Sequence, residues 1–287
     1  MKIHVPFPSG RPKIDRLEKA FAFLQSRSIE LDCPFRQTPS RWEGEPSYLS
    51  GTEPERVGDL LESFLDPEIT IAWCGRGGYG ATRLLGALQL ALAERTVTPT
   101  RLLGYSDITA LFAFIKSQGL PIECVHTPVL TEIFEHPQPE VVLQALQGQP
   151  IPLPVRHPGP GCRDFTGEIW GGNLAVLASL AGTPWLPEIR ESAILLEDIE
   201  EASYRLDRFI TQLHDSSFFR DTPGVFLGYF TRCGQGSEGR DAVAARLREL
   251  EIPLLGDLPV GHEPDHHPVF LDRIYRFDSA SNSLLPQ

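Results

Sequence analysis

Apolar positions in the first half of the chain switch repeatedly between helical and strand spacing. Ile14, Leu17, Phe21 and Leu24 recur every three or four residues, as do Val57, Leu60, Leu61 and Phe64, so two amphipathic helices are predicted there. Residues 69–74 form a short apolar run after Asp66-Pro67 and read as a buried strand, followed by a helix over 82–93. A second strand over 101–105 and a second helix over 108–116 repeat the pattern. Such alternation predicts an α/β fold with a parallel sheet covered by helices on both faces. In the second half, strands are predicted over 165–170, 193–196 and 224–230, and helices over 173–180, 204–214 and 241–250.

Between these halves the composition changes. Pro150, Pro152, Pro154, Pro158 and Pro160 stand among Gly148, Gly159 and Gly161, a stretch poor in backbone donors and helix formers. The expected organisation is an N-terminal α/β domain over 1–147, a linker over 148–164 and a C-terminal domain over 165–287.

Composition removes whole classes of function. A net charge of −12 argues against a nucleic acid or an anionic membrane as partner, because phosphate binding needs Lys and Arg in excess. The first residues carry no basic segment followed by an apolar core, and no stretch reaches the length of a membrane span, so a cytoplasmic protein is expected. Cys33, Cys74, Cys124, Cys162 and Cys233 are odd in number and scattered, which suits reduced thiols better than disulfides or zinc.

Four segments carry candidate chemistry. Gly75-Arg76-Gly77-Gly78-Tyr79-Gly80 follows a predicted strand, opens a helix and spells G-x-G-x-x-G. It suits a dinucleotide phosphate, a backbone site for another oxyanion, or a tight turn. Against the dinucleotide, it lies beyond the first strand–helix unit, and Ser106-Asp107 comes later than a ribose-binding acid should. Gly104-Tyr105-Ser106-Asp107-Ile108-Thr109 puts a serine at a strand-to-helix junction. That is the logic of a nucleophile elbow, although Ile108 replaces the final glycine of G-x-S-x-G and a serine there also suits a plain helix cap. Glu197 ends the apolar run Ile194-Leu195-Leu196, as an orienting carboxylate or as part of a solvated acidic loop. Gly261-His262 follows Leu258-Pro259-Val260 in the same way. Asp265, His266 and His267 lie nearby, but without the spacing of a metal site, and no metal is expected.

Together these segments resemble the LD-carboxypeptidase family of serine peptidases, which includes the microcin C self-immunity hydrolases. Tyr48-Leu49-Ser50-Gly51-Thr52 with Glu55-Arg56 resembles the approach to its substrate domain. Residues 75–85 resemble R-G-G-Y-G-x-x-R-L-L, and residues 104–109 resemble G-[YH]-S-D-x-T. Residues 167–187 resemble G-x-x-W-G-G-N-L…L-x-G-T-P-W-x-P. Leu196-Glu197-Asp198 with 204–208 resembles L-E-D…[YF]-R-x-[DE]-R, and Gly261-His262-Glu263 resembles the histidine motif.

The resemblance implies Ser106 as nucleophile, His262 as general base and Glu197 as the acid orienting it. Backbone N–H groups of Gly78 and Asp107 would form the oxyanion hole. Arg76 and Asn173 are candidates for a free carboxylate and the peptide backbone of the substrate. The implied fold is a flavodoxin- or Rossmann-like N-terminal domain with a C-terminal swivelling β-barrel-like α/β domain, working as a homodimer without a cofactor. The implied reaction cleaves the L-to-D bond of a murein tetrapeptide in cell-wall recycling and frees D-alanine.

Two departures bear on the substrate rather than the triad. His126-Thr127-Pro128-Val129 stands where [HS]-G-P-M is common, and residues 263–271 lack the usual T-x-P-x-G ending. Three alternatives stand beside this reading. They are a hydrolase of a peptidyl-nucleotide amide, as in the microcin relatives, a dinucleotide-dependent enzyme built on residues 75–80, and a non-catalytic ligand-binding descendant.

Overall fold

The structure, a computed structural model, describes residues 2–34, 48–159 and 164–287. The chain divides into two compact units, Met1–Val142 and Leu143–Gln287.

The first unit carries β1 (Lys2–His4), α1 (Ile14–Gln25), β2 (Leu31–Asp32), α2 (Glu53–Leu65), β3 (Ile69–Trp73), α3 (Leu85–Leu92), β4 (Thr100–Gly104), α4 (Thr109–Gln118) and β5 (Ile122–His126). Its strands are all parallel, in the order β2-β1-β3-β4-β5. This is the flavodoxin-like doubly wound order. Its rule places a site beyond the carboxyl ends of the strands, where the winding reverses between β1 and β3.

The predicted helices form where the periodicity put them, with adjusted ends. In α1 the buried face is Leu17, Ala20 and Leu24, while Ile14 is exposed. The helix expected over 82–93 opens with a 3-10 turn, Ala81–Leu84, before α3. That of 108–116 follows a 3-10 turn at Ser106–Ile108 and ends on Gly119, whose left-handed φ of 61° suits glycine. Helix α2 begins with a capping box, in which Thr52 accepts from the Glu55 N–H and the Glu55 carboxylate accepts from the Thr52 N–H. Its buried face is part apolar (Val57, Leu60, Phe64) and part polar (Arg56, Asp59, Ser63).

Helix α5 (Pro139–Leu146) spans the division between the units. The second unit continues with β6 (Leu153–Pro154), β7 (Phe165–Asn173), α6 (Leu174–Leu180), β8 (Ala193–Ile199), α7 (Ser203–Asp215), β9 (Val225–Thr231), α8 (Glu238–Glu249), β10 (Leu254–Asp257), β11 (Val269–Phe270), β12 (Ile274–Asp278) and β13 (Ser283–Pro286). A mixed seven-stranded sheet runs β10-β9-β8-β7-β12-β13-β6. The long strand β7 serves two partners. Its first half is antiparallel to β12, and residues 169–173 are parallel to β8.

Residues 148–159 of the Pro/Gly-rich stretch run beside this unit's own strands, with β6 on β13 and Arg156 bridged to Asp257. Pro160, Gly161 and Cys162 lie outside the described residues. Cys33, Cys74, Cys124 and Cys233 are buried. Among the described residues no helix is long and apolar enough to cross a membrane.

The parallel junction of β7 and β8 depends on Gly171, whose φ is +146° and where a Cβ would stand 2.0 Å from the Leu195 carbonyl oxygen. Gly58, by contrast, sits exposed inside α2 with nothing within 4 Å of its missing Cβ. Gly58→Ala is therefore expected to raise the melting temperature by about 2–4 °C, since alanine is favoured in a helix by about 0.8–1 kcal/mol. Gly171→Ala is expected to leave no cooperative melting transition. Thermal unfolding followed by circular dichroism checks both, and similar melting curves for the two variants would refute this account of the junction.

Candidate active site

In the first unit, β4 runs into the serine turn. Tyr105 is extended, with φ −162° and ψ −170°, and Ser106 then turns into the left-handed region at φ 61°. A non-glycine residue held there costs about 1–3 kcal/mol and persists only where its surroundings enforce it. One enforcing contact is Gly104, where a Cβ would lie 2.9 Å from the Ile108 side chain. Ile108, which occupies the final glycine position of G-x-S-x-G, thus folds over the first glycine. The turn leaves Ser106 half-buried at the start of the 3-10 turn and places the Asp107 N–H in its first residues, where helical turns have no internal acceptor.

The glycine loop of residues 75–80 packs against this turn. A Cβ on Gly77 would stand 3.2 Å from Ser106 Cβ, one on Gly75 would overlap the Phe7 ring, and one on Gly80 would meet Arg56 Nη1 at 2.8 Å. The three glycines of G-x-G-x-x-G are therefore needed for contacts within the chain, which removes the reason to reserve their space for a pyrophosphate. Gly78 is exposed with φ +112°, and the Gly10 N–H donates to the Gly77 carbonyl at 3.0 Å. Loops after β1, β3 and β4 thus meet beyond the carboxyl ends of those strands. Arg76, partly buried, donates from Nη1 to the Arg11 carbonyl oxygen. The Asp107 carboxyl is buried, accepts the Ala81 N–H at 2.8 Å and is raised above the usual carboxylate range, chiefly by burial. After β5, His126 is buried with its ring 5.8 Å from that of Tyr105, and the Thr127 N–H donates to the Gly104 carbonyl.

In the second unit, Glu197 and His262 come together. The carboxylate is 0% exposed, the imidazole side chain is 11% exposed, and Nδ1 lies 2.7 Å from Oε2. A neutral imidazole donating from Nδ1 presents Nε2 as a base. Contrary to the sequence expectation, Glu197 does not follow its strand. It lies within β8, paired with Asn173 on β7. Opposite it the β8–β9 register slips, so that Leu196 pairs with Leu227 but Asp198 with Phe230. Gly228 and Tyr229 therefore face one residue, the signature of a β-bulge, a feature that re-aims side chains beside active sites.

Two glycines make room for the acid. A Cβ on Gly228 would be 2.9 Å from Glu197 Cβ, and one on Gly261 would be 3.1 Å from Glu197 Oε2. Residues 258–260 are a loop rather than the expected strand. Its course is fixed by Leu258 N–H donating to Leu227 and Tyr229 N–H donating to Val260, at 2.8 and 2.7 Å, and it turns tightly where the Val260 N–H donates back to the Leu258 carbonyl. The loop is held again where the Tyr229 hydroxyl donates to the Asp265 carboxylate at 2.8 Å. His266 is buried, and His267 Nδ1 is 2.6 Å from the Asp265 carbonyl. Among the described residues no group of three ligating side chains could hold a metal ion.

Asn173 is engaged inside the fold. Its side-chain oxygen caps α6 by accepting from the Val176 N–H, and its amide nitrogen donates to Asp198 at 3.0 Å. Asp198 also accepts from the Ala175 and Ile199 N–H groups. Burial first, then the neighbouring Glu197 charge, pushes its carboxyl up to about 7. Sequence reasoning missed the bulge, the two glycines around Glu197 and the Tyr229–Asp265 tie. An isolated glycine inside the apolar run of β9 was the signal for the bulge.

The family model described as "LD-carboxypeptidase N-terminal domain" matches residues 3–126, and that described as "LD-carboxypeptidase C-terminal domain" matches 166–276. The chain is 36% identical over 276 residues to a murein tetrapeptide carboxypeptidase of Pseudomonas aeruginosa, covering 89% of this chain and 86% of that one. A solved muramoyltetrapeptide carboxypeptidase from Oxalobacter formigenes superposes with a TM-score of 0.81 at 25% identity, over 100% of both chains. A structure of the microcin C7 self-immunity protein MccF matches with a TM-score of 0.78 over 100% of this chain and 96% of that one. Its identity of 22% speaks to the fold alone.

The raised Asp198 carboxyl carries a pH dependence of known sign. Its folded value of about 7 lies above its unfolded 3.8, so the native state binds the extra proton between them. This contribution to stability is fully present below the unfolded value and is lost as pH rises through the folded one. Asp198→Asn is expected to gain stability relative to the unsubstituted protein as pH rises from about 4 to about 8. Melting temperatures across that range check this, and parallel curves would refute it.

Proposed function

This chain belongs to the LD-carboxypeptidase family, and from that membership we propose that it hydrolyses the L-to-D bond of murein-derived tetrapeptides and releases D-alanine. The observation that carries the reading is the buried Glu197–His262 hydrogen bond, the acid–base half of a serine hydrolase triad. The left-handed Ser106 turn is its natural complement.

In this mechanism Ser106 Oγ attacks the carbonyl carbon of the scissile bond while His262 Nε2 takes its proton. Glu197 holds the imidazole in the tautomer with Nδ1 protonated and stabilises the imidazolium that forms. Negative charge moves to the carbonyl oxygen, where the N–H groups of Gly78 and Asp107 receive it. A well-aimed donor at that position is worth about 3–4 kcal/mol of barrier. Collapse of the tetrahedral intermediate breaks the C–N bond, and His262 returns the proton to the leaving D-alanine amine. Water, activated by the same histidine, then releases the acyl group from Ser106.

Arg76 is the proposed ligand of the terminal carboxylate, its guanidinium oriented by the Arg11 carbonyl. Asn173 was expected to bind the peptide backbone. With its amide capping α6 and tied to Asp198, it enters the reading as a support for the strand ends that carry Glu197. The family resemblance adds a cytoplasmic homodimer without a cofactor. A peptidyl-nucleotide amide, in the manner of the microcin relatives, is the second reading, and it rests on the family resemblance.

Mass spectrometry of D-alanine released from a murein tetrapeptide tests the proposal. Ser106→Ala and His262→Ala are each expected to lower kcat by at least about a thousandfold, and Glu197→Gln by a somewhat smaller factor. Equal release by Ser106→Ala would remove Ser106 from the mechanism. Absence of release by the unsubstituted protein, with turnover of an aminoacyl sulfamoyl nucleotide instead, would put the second reading first.

A further inference from the structure

Helix α2 points a fully buried arginine at the loops that carry the oxyanion donors. Arg56 Nη1 donates to the Pro8 carbonyl at 2.7 Å and to the Gly80 carbonyl at 3.0 Å. The Asp107 carboxylate, which feels the Arg56 charge, accepts the Ala81 N–H at 2.8 Å. The Gly80 C=O and the Ala81 N–H are two ends of one peptide group. That single peptide plane is therefore gripped at its oxygen by the Arg56 guanidinium and at its N–H by the buried Asp107 carboxyl.

The grip has a purpose that packing alone does not require. Gly78 and Gly80 have φ of +112° and +125°, in a loop whose glycines leave the backbone free to take many conformations. A loop of that kind holds a donor in place only if something outside it fixes its orientation. Besides the Gly10 N–H on the Gly77 carbonyl, the group doing so is the Asp107 carboxyl, whose own N–H is the second proposed donor and whose neighbour is Ser106. Phe7 extends the same frame. Its N–H donates to Asp59 Oδ2, one turn along α2 from Arg56, and its ring fills the space beside Gly75.

We infer that Arg56 and the side chain of Asp107 are positioning residues that clamp the Gly80–Ala81 peptide and so set the Gly78 N–H in register with the Asp107 N–H and Ser106. The inference rests on the hydrolase reading above and deepens it. It assigns the transition-state geometry of the first unit to two buried side chains that hold one peptide group from either end.

Arg56→Lys keeps the buried cation but cannot reach both carbonyls in the same geometry, Arg56→Met removes the cation, and Asp107→Asn keeps an acceptor for the Ala81 N–H on a group that cannot ionise. Two rates are read for each folded variant. One is steady-state turnover of the murein tetrapeptide. The other is phosphonylation of Ser106 by a fluorophosphonate, which uses the oxyanion donors but not the peptide subsites.

Both kcat and the phosphonylation rate are expected to fall together by about 10- to 100-fold, with KM within about twofold, because misplaced donors weaken the transition state and not the ground state. Three results would overturn the clamp alone. These are folded Arg56 variants with both rates unchanged, a loss confined to KM, or failure of all three variants to fold, which would give the pair a role in stability only. A protein whose Ser106 takes no phosphonate, or whose Ser106→Ala variant still turns over tetrapeptide, would instead defeat the nucleophile assignment and the clamp with it.

Discussion

A carboxylate removed entirely from water is among the most expensive groups a fold can hold, at a cost of several kcal/mol unless charge and hydrogen bonds answer it. Glu197 is such a group, and much of the second unit is arranged around it. The His262 imidazole meets it at 2.7 Å. Gly228 and Gly261 leave out the methyl groups that would collide with it, and the bulge in β9 provides the slack that brings residues 258–262 alongside. The adjacent Asp198 lies in the same strand and the same low-dielectric setting. Its raised carboxyl keeps two full negative charges from standing side by side below about neutral pH.

The first unit meets a different constraint, that of bringing three loops against a serine held in the left-handed region. Its strand order puts the loops after β1, β3 and β4 at one edge of the sheet. Glycines at 75, 77 and 80 let those loops touch one another and the serine turn without side chains between them. Each glycine is explained by a different neighbour, Phe7, Ser106 and Arg56 in turn. A literal G-x-G-x-x-G is in this chain the imprint of close packing around the serine turn, and each of its glycines is spoken for by a neighbour within the chain.

Much of this was legible in the sequence. The apolar runs of β3, β4, β8 and β9 and the helical repeats of α1 and α2 announce the α/β fold, because buried strands and amphipathic helices leave period and length in the residues themselves. The short strands β12 and β13 escaped, although Tyr275 and Phe277 alternate with exposed Ile274 and Arg276 as a half-buried strand should. Four or five residues carry too little periodicity unless their partner is already known. The candidate residues were read from strand ends and from family resemblance. The seating of Glu197 within β8 was not legible, since it depends on a register slip in the neighbouring strand. Arg56 escaped for a related reason. A lone arginine on an amphipathic helix reads as solvated surface, and only the fold reveals that it faces inward.

The divided loyalty of β7 has a consequence for how the molecule comes into being on the ribosome. Its second half joins β8 within some thirty residues of chain, yet its first half, like β6, has no partner until β12 and β13 have been made. The first unit's parallel strands β1 to β5 are by contrast all made before β7 is. Pairings of such long sequence separation are slow to form and expose strand edges until they do. A nascent chain stalled before residue 274 would therefore carry the serine turn and, in its second unit, a half-built sheet holding Glu197 and His262. Quality control during translation would meet it as an aggregation hazard well before it could act as a hydrolase.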